Sequence, residues 1–170
     1  MTAYVALLRA VNVGGTGKLP MTELKAMCEA VGFRDVRTYI ASGNVVFEAE
    51  GDEAQVKTAL EARLEAFAGK KVGVLVRSPA EMDAVLADNP FPDKAPNRTV
   101  AIFLDVPPSQ AMLDEVSGIN GEELRLGSRE IYVHYGDGMG NSKLKIPAAA
   151  MGTARNMNTV AKLARMAAEA

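Results

Sequence analysis

The order in which short apolar runs and helical stripes follow one another is what most restricts the fold open to this chain. Tyr4–Arg9 is a short, mostly unbroken apolar run, which reads as a buried strand. Pro20 then marks a helix entry. Met21, Leu24, Met27, Cys28 and Val31 recur at helical spacing before Gly32 ends the pattern. Val36–Ile40 and Val45–Glu48 are strand-like, and Ala41-Ser42-Gly43-Asn44 joins them as a hairpin turn. Val56, Leu60, Leu64 and Phe67 form one stripe on a helix from about Asp52 to Ala68, and Val72–Val76 closes the set as a fourth strand. The order βαββαβ is that of a ferredoxin-like split βαβ unit.

The second half repeats the pattern more loosely. Ser78-Pro79-Ala80-Glu81 starts a helix with Met82, Val85 and Leu86 facing inward. The three prolines between Asn89 and Pro96 then make a linker. Val100-Ala-Ile-Phe103 echoes Val5-Ala-Leu-Leu8. A helix through Met112, Leu113 and Val116 follows, then a hairpin of Glu123–Leu126 with Ile131–Tyr135, and a final amphipathic helix from Met157 to Ala168. The expected architecture is α+β, with two pseudo-repeated ferredoxin-like lobes. They span residues 1–77 and 98–170, with a helix and proline-rich linker over 78–97.

Composition removes several function classes. The formal charge is −2, so unselective binding to nucleic acid or anionic membrane is disfavoured, although local basic patches are compatible with it. A single cysteine, Cys28, excludes an intrachain disulfide and a cysteine cluster for zinc. No apolar stretch reaches the length of a membrane span, and no secretion signal opens the chain, so a cytoplasmic location is expected.

Three polar loops can carry chemistry. Asn12-Val13-Gly14-Gly15-Thr16-Gly17-Lys18 leaves the first strand toward a helix, where outward-pointing amides and a lysine suit a phosphate or carboxylate. It is not a Walker loop, because Asn12 stands at the first glycine position and Leu19 where serine or threonine would hold magnesium. Nor is it a dinucleotide fingerprint, because Pro20 replaces the third glycine. Ser42-Gly43-Asn44 has the composition of an ordinary hairpin tip. Gly136–Lys145 repeats the glycine-plus-lysine composition of the first loop.

Charge sharpens the reading. No acid occurs between Gly138 and Ala168, whereas Lys143, Lys145, Arg155, Lys162 and Arg165 do. Arg155-Asn156-Met157-Asn158-Thr159 stands before the final helix, where asparagine and threonine cap well and free amides face an anion. If the loops converge, Arg9, Lys18, Lys143 and Arg155 neutralise an anionic ligand such as a nucleotide or other phosphate ester. Asn12, Ser42, Asn44, Asn156, Asn158 and Thr159 orient it, and Gly14, Gly15 and Gly43 permit close backbone approach. Lys162 and Arg165 read as a solvated helix face. No cofactor or metal is identified, and neither catalysis nor oligomeric state follows from the residues. Phosphoryl or nucleotidyl transfer is the enzymatic alternative, for which Asp137 is the only obvious nearby acid. An RNA-binding or protein-interaction module using the basic C-terminal segment is the third.

Other reactive residues read as structural. His134 has no spaced partner for a metal site, and Cys28 falls on an apolar stripe. Tyr39, Tyr132 and Tyr135 can stack on a base, but no matching RNA-recognition sheet motif accompanies them.

Tyr4-Val-Ala-Leu-Leu-Arg-Ala-Val-Asn-Val-Gly-Gly15, Thr38-Tyr-Ile-Ala-Ser-Gly-Asn-Val-Val-Phe47 and Thr153-Ala-Arg-Asn-Met-Asn-Thr-Val160 with Lys162-Leu163 together resemble the bacterial domain-of-unknown-function 1697 family. The resemblance spans essentially the whole chain. It implies two ferredoxin-like repeats and supplies no established activity. Two departures stand out: Ala10 replaces a usual glycine, adding a methyl group, and Met157 replaces a usual tryptophan, removing an aromatic platform.

Overall fold

The computed structural model describes residues 1–11, 18–136 and 141–169. It is a mixed α+β protein with two four-stranded antiparallel sheets and five α-helices among those residues. Asn12, Gly14, Gly15 and Asp137 lie outside the described residues. The chain divides into two compact units, Met1–Met82 with Leu163–Ala170, and Asp83–Lys162.

The first unit runs β1 (Thr2–Leu8), α1 (Met21–Ala30), β2 (Arg34–Tyr39), β3 (Asn44–Ala49), α2 (Glu53–Ala68) and β4 (Val74–Arg77), with sheet order β2-β3-β1-β4. Local chemistry sets its boundaries. Pro20 is the N-cap of α1 and Gly32 follows its end at φ +94°. Asp52 and Gln55 form a reciprocal capping box on α2, and Gly69 ends that helix in the left-handed region. One face of the sheet packs Tyr4, Ala6, Leu8, Val45, Phe47 and Val76 against the apolar stripes of α1 and α2. Phe33 stacks on Phe47 with ring centroids 4.3 Å apart. On the opposite face, Val5, Leu7, Val46 and Leu75 are also fully buried, so the central strands read as continuous apolar runs.

The second unit contains most of α3 (Pro79–Ala87), then β5 (Thr99–Phe103), α4 (Gln110–Asp114), β6 (Glu123–Leu126), β7 (Glu130–His134) and β8 (Thr153–Asn156). Its sheet order is β6-β7-β5-β8, and α5 (Met157–Ala168) follows. Ser78 and Glu81 cap α3 reciprocally. The core face carries Val100, Ile102, Leu104, Ile131 and Val133.

The two sheets share a register. Val5 pairs with Val46 and Arg77, and Ala101 pairs with Tyr132 and Arg155. Leu7 pairs with Asn44 and Leu75, and Phe103 with Glu130 and Thr153. Val5 therefore corresponds to Ala101, one residue out of step with the echo read from the sequence. Strands buried on both faces offer no alternation to fix the phase.

Three expectations for this half are corrected. The α4 helix stops at Asp114, short of Val116, whose amide closes a single turn on the Leu113 carbonyl. Between β7 and β8 the described residues form no α-helix, and Pro147–Met151 is a 3-10 turn, where the first unit has the full helix α2. Arg155 and Asn156, read as part of a loop, belong to a strand, whereas α5 begins at Met157 as expected.

Candidate functional site

The four cations expected at one cleft fall two in each unit: Arg9 and Lys18 in the first, Lys143 and Arg155 in the second. Within each unit they have different surroundings.

Lys18 lines a cavity of about 220 Å³ in the first unit. Ala10, Val11, Leu19, Leu64, Phe67, Ala68 and Val72 supply its apolar wall, and Lys70 a second cation. No acidic residue is among the described lining residues. Helix α2 places Leu64, Phe67 and Ala68 on one face by their i, i+3, i+4 spacing, with Leu64 buried and Phe67 and Ala68 exposed rather than on the inward stripe expected for Phe67. Phe67 stays partly exposed at the mouth.

Arg9 lines a separate groove with Glu61, Glu65, Lys71 and Thr58, a lining of mixed charge. Its backbone amide donates to the Gly73 carbonyl at 2.9 Å. Its side chain lies over Gly73, where an added Cβ would come within 2.8 Å of Arg9 Cδ.

The hairpin residues are engaged with the protein itself. Gly43 sits at φ +90°, and a Cβ there would meet Val11 Cγ2 at 2.7 Å and Leu8 Cβ at 2.9 Å. Its carbonyl accepts from the Leu8 amide. Asn44 is fully buried, and its side-chain amide donates to the Tyr39 carbonyl and to Ser42 Oγ, both at 2.9 Å. The close approach expected at Gly43 is made by β1 and the residues after it. Two neighbouring non-glycine residues, Ala10 and Ile40, are held at φ +50°. Ala10 thus occupies the conformation that favours the glycine usual at that place in the family it resembles.

In the second unit, Lys143 borders a polar cavity of about 460 Å³ with Asn120, Glu122, Tyr135, Asn141 and Ser142. The loops around it are joined by paired backbone bonds between Ser117 and Lys145 of 3.0 and 2.8 Å. The Ser142 hydroxyl and the Asn120 amide donate to Glu122 and hold its carboxyl below the usual carboxylate range. Burial, with the Glu122 charge, raises the Tyr135 phenol. Glu122 is not singled out by the sequence, and Tyr135 is noted there only as a residue able to stack on a base. The available signal was Gly118-Ile-Asn-Gly-Glu122, a glycine-flanked acid facing another glycine loop.

Arg155 does not line that cavity. It is buried on β8, its Nη1 donating to Thr153 Oγ1 at 2.6 Å and to the Ala154 carbonyl at 2.9 Å. Burial pulls its pKa down to about 10. Arg77, at the corresponding position on β4, is also buried and donates to the preceding carbonyl, Val76. Asn156 caps α5, its Oδ1 accepting from the Thr159 amide at 2.9 Å. Thr159 is buried and Asn158 exposed. Met157 is buried, so the side chain at that position packs rather than presenting a platform.

The remaining reactive groups are structural. Cys28 is fully buried, and desolvation pushes its thiol up to about 12. His134 Nδ1 lies 3.0 Å from Thr99 Oγ1, and its ring sits against Phe91. Tyr132 is buried and donates to the Val85 carbonyl at 2.8 Å, which removes it as a base-stacking surface. No metal-ligating cluster occurs among the described residues, and none of their helices is long and apolar enough to cross a membrane.

A family model described as "Protein of unknown function (DUF1697)" matches residues 1–132. No curated protein matches the chain. Among solved structures, "The structure of conserved bacterial protein SP0830 from Streptococcus pneumoniae" is similar at 25% identity and a TM-score of 0.82, covering 98% of each chain.

Proposed function

We propose, for a chain that belongs to the DUF1697 family of proteins of unknown function, that it binds a small organic anion in its N-terminal unit. A phosphate or carboxylate head sits by Lys18 and Lys70, and a compact apolar body lies against Val11, Leu19, Leu64 and Val72. One observation carries this reading: the cavity combines two lysines with an apolar wall, and its described lining contains no acid. The grooves at Arg9 and Lys143 each include glutamate, which repels an anion.

Size narrows the ligand. The 220 Å³ cavity falls below the roughly 300–1,000 Å³ typical of sites that enclose a drug-sized molecule. A whole nucleotide exceeds it, whereas a short-chain phosphate ester or a single-ring carboxylate fits. We also read each sheet as part of a ferredoxin-like repeat, supported by the common strand order and register. The lone buried cysteine supports a reducing, cytosolic setting.

The test is a thermal-shift screen with inorganic phosphate, glycerol phosphate, small aromatic carboxylates and adenosine monophosphate on wild type, Lys18→Gln and Lys70→Gln. A ligand at about 100 times its Kd adds ~2.7 kcal/mol to stability. For a chain of this length that is an increase of roughly 5–10 °C. A small organic anion should give that shift in wild type and lose most of it in both variants. Equal shifts in all three proteins, or none with any anion, would remove the reading.

A further inference from the structure

The outer edge of β4 is closed by the chain itself, and those of β8 and β2 are short or interrupted. In β4, the Arg9 amide bonds to the Gly73 carbonyl, so by alternation the backbone groups of Val74 and Val76 point away from β1. The outward Val74 amide donates to Glu61 at 2.9 Å, and Lys57 donates to the Val74 carbonyl, both side chains coming from α2. Arg77 donates to the outward Val76 carbonyl. In β8, Arg155 does the same to Ala154. Strand β2 is interrupted by a register shift between Arg34 and Arg37, with Asp35 at φ +51°.

Strand β6 differs. Gly127 donates to the Glu130 carbonyl at 2.7 Å across the hairpin, so Leu124 and Leu126 direct their backbone groups away from β7. Among the described residues this edge has one closing bond, from the exposed Arg125 to the Leu124 carbonyl. Beside it lies an open cavity of about 280 Å³, in which Leu113, Val116, Ile119 and Leu124 supply apolar surface. Ile119 and Leu126 are among the large apolar side chains left exposed. Glu122 and Glu123 line the same cavity, and Asp114 and Glu115 are exposed between Leu113 and Val116. Arg125, the one cation lining it, is drawn toward the Phe91 ring, 5.8 Å from its centroid.

We infer that β6 is a docking edge for an extended basic segment of a partner protein, which adds as a fifth strand. The open backbone groups supply main-chain hydrogen bonds, the groove takes one apolar side chain, and the acidic rim selects flanking lysines or arginines. The inference concerns the second unit and is independent of the anion site in the first.

The probe is a fluorescent peptide of alternating lysine and valine, with an alternating glutamate and valine peptide as control, read by anisotropy at low salt. The basic peptide binds and the acidic one does not. Glu123→Lys weakens binding on the order of tenfold, because the change acts on complementary charge. Leu126→Pro removes an outward amide that takes no part in the ladder with β7, so the sheet is retained, as checked by circular dichroism, while peptide binding is lost. In amide exchange, bound peptide slows Leu124 and Leu126. Equal binding of both peptides, unchanged binding by folded Leu126→Pro, or protection confined to other strands would each overturn the inference.

Discussion

Replacing Gly43 with alanine separates a glycine required by packing from one kept open for a ligand. Gly43 has φ +90°, and an alanine Cβ would lie 2.7 Å from Val11 Cγ2 and 2.9 Å from Leu8 Cβ. The left-handed conformation costs about 1–2 kcal/mol for a residue with a Cβ. Overpacking between buried neighbours adds about 1–3 kcal/mol, and reduced freedom of the unfolded chain returns about 0.4–1 kcal/mol. The net loss is roughly 2–4 kcal/mol, a large share of a typical stability of about 5–15 kcal/mol. It corresponds to a melting temperature lower by roughly 5–15 °C. Gly69→Ala is the matched control, since Gly69 has φ +72° but nothing within 4 Å of an added Cβ. It meets the conformational cost alone. Thermal and urea unfolding, followed by circular dichroism, should place Gly43→Ala well below Gly69→Ala. Equal losses would refute the claim that Leu8 and Val11 fix the hairpin against β1.

The remaining predictions concern neighbouring features. Ala10→Gly relieves a residue held at φ +50° on the surface, so urea unfolding should show a gain of about 0.5–1 kcal/mol once glycine's entropy is subtracted. Asp52→Ala breaks the capping box on α2 and should cost about 0.5–2 kcal/mol, again read from denaturation. Cys28, with its thiol raised to about 12, should react with a disulfide reagent at pH 8 only as fast as the protein opens. Because its folded pKa lies above the unfolded value, its contribution to stability is intact below about pH 9 and falls as pH rises toward 12. A stability profile that rises across that window would contradict the burial of Cys28.

The first unit was legible because its punctuation is chemical. Pro20, Gly32, the Asp52–Gln55 pair and Gly69 each impose a boundary that a sequence displays. The second unit lacks such marks over its middle. The five-residue α4 carries too little apolar periodicity to show where it ends. Strand β8 is four residues long and contains a buried arginine, a residue type whose sequence prior is exposure. The candidate site divides in the same way. Lys18 was visible as a cation after glycines, but Lys70 and the α2 residues joined it only through tertiary packing. Asn44 has a turn-like sequence context that conceals its complete burial.

The central claim is that the cavity bordered by Lys18 and Lys70 receives the anion. Chemical-shift mapping with the most stabilising anion from the screen tests it most directly, by titration into isotope-labelled protein. The account predicts that the largest shifts fall at Val11, Lys18, Leu19, Leu64 and Val72, the residues that share that cavity. Shifts centred instead on Asn120, Tyr135 and Lys143, or spread without a centre, would contradict it.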